Sequence, residues 1–346
     1  MTRIIRYLPV ALLCALCACG GGNSGSSNNK ENEGGAIMDS PAAEEPAAEA
    51  TAGTRPFPLV SVPMVYSGNA EEETEYVMEH YWDPYFAEEG LTNDKHILGV
   101  GDGDVEQALA NYINLLQSQK LLATPDEPAP LHKAQKSVRT FFSKLEGADH
   151  AAYVRMTDLV SKYLYDPNSP LRDEDLYLPF AEAAAKSPST ADDMRQAYQF
   201  EANACRTNSF GKKVPDIKYS DIKGKKGSLY GVKADYTMLF FSNPGCTACK
   251  EIVNDITAHG YISRLISAGK LAIVNIYIDE EVSKWRDYVP NYPSSWINGY
   301  DYTFKLRSSG TYDIRAIPSL YLLDSQKRVL MKDAPTERVI SYLDRI

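Results

Sequence analysis

From about Phe57 to Asn208 the apolar residues recur at spacings of three and four, the period of helices that bury one face. A stretch beginning near Glu71 places Val77, Met78, Tyr81, Trp82, Tyr85 and Phe86 in this way. Asp104, with Gln107 three residues on, reads as a capping box opening a helix that carries Val105, Leu109, Tyr112, Ile113 and Leu116. Tyr153, Met156, Val160 and Tyr163 repeat the pattern, and further helices are expected over Leu131 to Leu145, Glu174 to Lys186 and Ala191 to Ala202. At helical spacing the aromatic stripes read as core rather than as a ligand groove. After Gly211 the rhythm changes. Thr237 to Ser242 is a short apolar strand, and a helix bearing Ile252, Val253, Ile256 and Ile262 follows it. Leu271 to Asp279 is a near-continuous apolar run, as a strand buried on both faces requires. Ser319 to Asp324 and Arg328 to Lys332 flank a turn as a hairpin, and Thr336 to Arg345 closes with a helix. The pattern therefore predicts an all-α helical domain followed by an α/β domain ordered β, α, β, (α), β, β, α.

Ahead of both lies a different kind of sequence. Arg3 and Arg6 precede an apolar run from Ile4 through Cys19 that is too short for a permanent membrane helix, the layout of a secretory signal. Leu16-Cys17-Ala18-Cys19-Gly20 resembles the bacterial lipobox, which implies an acylated Cys19 as the mature N-terminus and a membrane attachment through its lipid. A plain signal peptide cleaved nearby is the other reading. Residues 19–56 are rich first in Gly, Ser and Asn, then in Ala, Glu and Pro, so a disordered tether is expected, with an r.m.s. reach of about 33 Å if flexible. The expected division is thus a signal over 1–18, a tether over 19–56, a helical domain over 57–208 and an α/β domain over 211–346.

The length of 346 residues suits two domains, and 44% hydrophobic with 24% charged residues is an ordinary globular balance. A net charge of −10 has the wrong sign for nucleic-acid binding through phosphate neutralisation. The charge is unevenly divided: residues from Gly211 onward carry +5, and Cys19 to Phe210 carries −17, so the two halves should attract. His80, His96, His132 and His150 are scattered without zinc-ligand spacing, so no metal or other cofactor is implied. Gly99-Val100-Gly101-Asp102-Gly103 lacks the preceding strand and glycine spacing of a nucleotide loop. Asp102, Asp104 and Glu106 have Gln107 where an EF-hand needs glycine. Both read as a turn and a cap.

Three cysteines follow Cys19: Cys205, Cys246 and Cys249. Cys246 and Cys249 form a CxxC where the strand ending at Ser242 turns into a helix. By itself a CxxC is compatible with half a zinc site, a local structural disulfide or a redox pair, but neither Cys205 nor His259 supplies further zinc ligands at related spacing. At a helix start, free backbone N–H groups and the helix dipole stabilise a thiolate, which makes Cys246 the candidate nucleophile. Cys249, one helical turn on, is placed to attack a mixed disulfide formed by Cys246. CxxCH haem attachment is excluded by Lys250, and the residues around Pro244 do not fit a peroxiredoxin.

The element order, the CxxC and Ile317-Pro318 before the last hairpin resemble the thioredoxin-like family over about Gly211 to Ile346. Lys213 to Asp216, Ser228-Leu229, the PGCTACK segment and Tyr312 to Pro318 are similar to its membrane-tethered members of the bacterial envelope, which are thiol-disulfide oxidoreductases. The N-terminal region is similar to a helical domain of unknown function found ahead of such modules. The resemblance implies a cis Pro318 that presents the Ile317 backbone to an extended substrate segment, protein disulfides as substrates and a thiol protein as redox partner. It also implies a periplasm-facing, lipid-anchored location, with reduction favoured over oxidation. The alternative is a binding or scaffold lipoprotein whose CxxC is vestigial.

Several positions depart from the family. Gly245 replaces the usual Trp before the CxxC, and Phe240 stands where many members keep a buried acid. Glu251 is the nearest carboxylate, either as proton acceptor or as a solvated helix residue, and Thr247-Ala248 matches neither the common reducing nor the common oxidising dipeptide. Two readings are open for Cys205, a third redox thiol or a small buried hydrophobe. Trp285, Tyr288, Tyr292 and Trp296 either rim the site or pack an insertion.

Overall fold

The computed structural model describes residues 54–66 and 68–346. Cys19, the expected signal and nearly all of the expected tether lie outside these residues. Among the described residues the first part is helical: α1 (Ala70–His80), α2 (Asp83–Phe86), α3 (Asp102–Lys120), α4 (Ala129–Glu146), α5 (His150–Leu164), α6 (Glu174–Ala184) and α7 (Asp192–Arg206). The aromatic stripes are core. Trp82 sits among Phe57, Tyr85, Tyr112 and Phe141, with ring centroids 5.0 to 5.6 Å away. The single long helix expected after Glu71 is two pieces, because Pro84 at the start of α2 cannot donate into a continuing helical ladder.

The start of α3 also differs from the capping-box reading. The chain reverses through Leu98 and Gly99, both at positive φ, and two short strands, β1 (His96–Ile97) and β2 (Val100–Gly101), pair across that turn. The helix therefore begins at Asp102, with Gly101 as its cap and Asp104 already inside the first turn. Asp102 is held by Arg155 of α5, 2.6 Å away, while Gln107 bonds forward to Asn111 instead of back to a cap.

The second part is a seven-stranded mixed sheet built from β3 (Lys218–Ser220), β4 (Lys226–Ser228), β5 (Tyr236–Phe241), β6 (Leu271–Tyr277), β7 (Ile297–Tyr300), β8 (Ser319–Asp324) and β9 (Val329–Met331) in the order β4-β3-β7-β6-β5-β8-β9. Its helices are α8 (Thr247–Ala258), α9 (Gly260–Ser267), α10 (Val282–Tyr288) and α11 (Thr336–Leu343). The apolar runs make the central strands: β5 is parallel to β6 and antiparallel to β8. Alternation sorts their side chains. Met238, Phe240, Ile273, Leu320 and Leu322 face a core shared with α8 and α11, and Leu239, Phe241, Val274, Ile276 and Tyr321 face the other. An α/β thioredoxin fold preceded by a helical region, with one short strand pair, is thus the architecture.

Three strands were absent from the sequence pattern. In β7 Asn298 and Gly299 pair with Asn275 and Ile276 of β6, and the Tyr219 ring lies across Gly299. A Cβ at Gly299 would stand 2.8 Å from that ring, and one at Gly227 in β4 would stand 2.6 Å from it. The two glycines make room for one aromatic side chain. The hairpin of β3 and β4 is three residues a side and rich in lysine, too short and polar for periodicity to reveal.

Candidate active site

The sheet brings the candidate residues to one end. β5 runs out at Phe241, whose partner on β8 is Ser319, the residue after Pro318. The CxxC loop thus leaves β5 at the edge where Pro318 delivers the chain into β8. Asn243, Pro244 and Gly245 make the turn, and Gly245 adopts φ +75°. No neighbouring atom stands within 4 Å of where its Cβ would be, so backbone conformation alone calls for glycine there. Gly245→Ala should therefore lower stability by about 1 kcal/mol without a steric clash, measurable by denaturant unfolding; an unchanged midpoint would remove this account.

Cys246 is the N-cap of α8, its Sγ accepting the Cys249 N–H at 3.1 Å. Cys246 and Cys249 are joined as a disulfide with Cα atoms 5.2 Å apart. Their exposure differs: Cys246 is half-buried, and Cys249 is 2% exposed in the core with Phe240, Trp296 and Leu320. Only the first sulfur can meet a protein-sized partner. The Ile317–Pro318 peptide is cis, and Ile317 packs against both cores. The structure therefore gathers Cys246, Cys249, Ile317 and Pro318 at one end of the sheet.

Phe240 fills the position of the missing acid, fully buried and edge-on to Trp296 at 6.4 Å. Glu251 points to solvent. Beside Phe240 lies a neutral polar chain instead. Ser242 donates its hydroxyl to Asn275 Oδ1 at 2.6 Å and, its one proton so used, accepts from the Tyr292 hydroxyl at 2.9 Å. Asn275 passes its amide to Asn298 Oδ1 at 3.0 Å, and Asn298 in turn donates to the Pro293 carbonyl. Burial raises the Tyr292 phenol, which keeps it protonated. Asn243 is tied to Asp279 at 2.8 Å, and Asp279 also pairs with Arg307. The CxxC loop is thus braced on two sides, by Tyr292, one of the aromatics weighed from the sequence, and by Asn275, Asn298 and Asp279, which the sequence reading did not single out. The visible signal was Asn275 inside an otherwise apolar strand. Trp285, Tyr292 and the half-buried Tyr288 pack together with Tyr277 and Val289, whereas Trp296 lies in the core beside Phe240 and Cys249.

Next to Pro318 the helical region supplies charge. Glu174, at the start of α6, faces Lys332 Nζ at 2.5 Å and Arg315 at 3.0 Å. Burial outweighs both cations and lifts its carboxyl to about 7. Arg172 donates to the Asp333 backbone carbonyl, Arg338 reaches Asp173 and Gln117, and Lys120 sits between Asp173 and Asp175. Cys205 of α7 lies beside this cluster, fully buried and unpaired. Burial, with Glu174 nearby, pushes its thiol far above the ordinary range, so it behaves as a small apolar side chain.

Comparison with known proteins accords with this architecture. Residues 26–208 match a family described as a domain of unknown function, DUF5106. The crystal structure of a thioredoxin-like protein from Bacteroides caccae is 36% identical, with 84% of this chain and 99% of that one covered and a TM-score of 0.68. The C-terminal domain of an uncharacterized protein from Bacteroides fragilis is 41% identical, over 40% of this chain and 99% of that one, with a TM-score of 0.39. The thioredoxin domain of a thiol-disulfide oxidoreductase from Bacteroides vulgatus is 19% identical, over 40% and 96%, with a TM-score of 0.36. No curated protein matches the chain. With more than half of its length matched by the DUF5106 family and most of it aligned to a thioredoxin-like relative, the chain belongs to the thioredoxin-like proteins, with a DUF5106 region preceding the fold.

Proposed function

We propose that this protein is a thiol-disulfide oxidoreductase that reduces disulfides of bacterial envelope proteins, held at the membrane through a lipid on Cys19. The observation that carries the reading is the unequal placement of two bonded sulfurs at the head of α8, one reachable and one buried. In the reduced protein the Cys246 thiolate attacks one sulfur of a substrate disulfide, and the other substrate sulfur leaves as a thiolate that takes up a proton. Cys249 then loses its proton and attacks Cys246 Sγ. That releases the substrate as a dithiol and leaves the Cys246–Cys249 disulfide, so two electrons have passed to the substrate. A thiol protein of the envelope restores the dithiol. The Ile317 backbone beside Pro318 holds an extended substrate segment by main-chain hydrogen bonds.

The proton of Cys249 has no carboxylate at the family's position, because Phe240 occupies it. The test is dithiothreitol-driven reduction of insulin. The wild type should accelerate it and a Cys246→Ser/Cys249→Ser double variant should not; a wild type no faster than the double variant would favour the binding or scaffold reading.

A further inference from the structure

We propose that Arg315 is a positioning residue: it pins the chain entering Pro318 onto the helical region, so that this region sets the affinity for protein disulfides. The inference rests on the function proposed above and assigns the helical region a part in it. Between β7 and β8 the chain from Asp301 to Pro318 has neither helix nor strand. Connections of that length hold one shape only where they are tied down. Asp301 caps the start, accepting the N–H groups of Thr303, Lys305 and Leu306 at 2.9 Å. Further on, the Asn208 side chain donates to the Thr311 carbonyl at 2.9 Å, and the Tyr312 hydroxyl reaches the Pro215 carbonyl. Arg315 is the last tie before the proline, and most of its partners belong to the helical region.

Its guanidinium spends its donors in several directions at once. It donates to the Tyr165 carbonyl, stands 3.0 Å from Glu174 and 3.1 Å from Asp333, and lies 4.1 Å from the centre of the Tyr165 ring. Glu174 is itself fixed by Lys332, which also donates to the Ala204 carbonyl at 2.8 Å. A planar fork with several donors and a stacking face fits this niche, and a lysine could meet only part of it. Two residues on, the Ile317 backbone is thereby held ready before any substrate arrives. A backbone already ordered costs a substrate less entropy to pair with, whereas a loosened one weakens binding and leaves the sulfur chemistry alone.

The test is insulin reduction by the full chain at varied substrate concentration, with thermal unfolding to check each variant. Arg315→Met should raise KM about tenfold with kcat within about twofold, and Arg315→Lys should fall between it and the wild type. Glu174→Gln keeps side-chain volume but removes the anion facing the guanidinium, and should raise KM about threefold; it serves where Arg315→Met fails to fold. A KM within twofold of wild type in the folded variants, or a loss confined to kcat, would overturn the positioning role and leave the oxidoreductase reading in place. A wild type that exchanges its cysteine pair with dithiothreitol yet reduces no insulin would overturn both.

Discussion

Cys249→Ser should hold a substrate protein in a stable mixed disulfide on Cys246, whereas Cys246→Ser should hold none and lose at least about a thousandfold in insulin reduction. The asymmetry comes from position. Cys246 stands half-buried at the head of α8, its Sγ aligned with the N–H of residue 249, and Cys249 lies in the core at 2% exposure. A substrate sulfur can approach the first and has no path to the second. With serine at 249 nothing one turn away can displace the substrate, so the intermediate persists until an added thiol releases it. Serine at 246 offers a hydroxyl that does not form the sulfur–sulfur bond. Non-reducing electrophoresis of envelope fractions, followed by release with dithiothreitol, reads both variants. Equal capture by the two, or capture through Cys249 alone, would end this assignment of roles.

The second large effect concerns stability. Lys332→Met should cost about 3–5 kcal/mol, since it removes the cation nearest to a buried carboxylate and leaves Glu174 short of charge compensation. Lys332 is 5% exposed, 2.5 Å from Glu174, with a further bond to the Ala204 carbonyl at 2.8 Å. Adding Glu174→Gln should recover at least about 1 kcal/mol, because a neutral amide no longer needs the ammonium. The cost should also depend on pH. The folded carboxyl lies at about 7 against an ordinary 4.5, so the group favours the folded state fully below about 4.5 and loses that contribution as pH rises toward about 7. Lys332→Met should therefore be milder at pH 5, where Glu174 is protonated, than at pH 8. Urea unfolding at the two pH values measures this; equal costs would show that the carboxyl does not change charge between them.

What the sequence revealed follows from range. β5, β6, β8 and the helices of the first part rest on local periodicity, and the CxxC lies at a junction that eight consecutive residues define. The charge asymmetry was visible as a sum, +5 against −17, but not its address. Glu174, Lys332 and Arg315 are ordinary surface residue types, and only the tertiary fold turns them into a buried cluster. Likewise Gly227 and Gly299 reveal their purpose only when the Tyr219 ring is laid across both. The Ser242, Asn275 and Tyr292 chain draws on three separate segments, so no spacing rule could assemble it. Asp104 shows the opposite error, a local motif satisfied on paper but displaced by the turn at Leu98 and Gly99.

The stretch joining the two parts has a consequence for dissecting them. Gly211 donates to Val329 O, Val329 donates back to Lys212 O, and Val214 donates to Lys327 O, so the connector acts as an outer rail along β9. Cutting after residue 214 would strip that rail and leave a bare row of main-chain donors and acceptors, an invitation to self-association. A soluble C-terminal fragment should accordingly keep residue 211 onward.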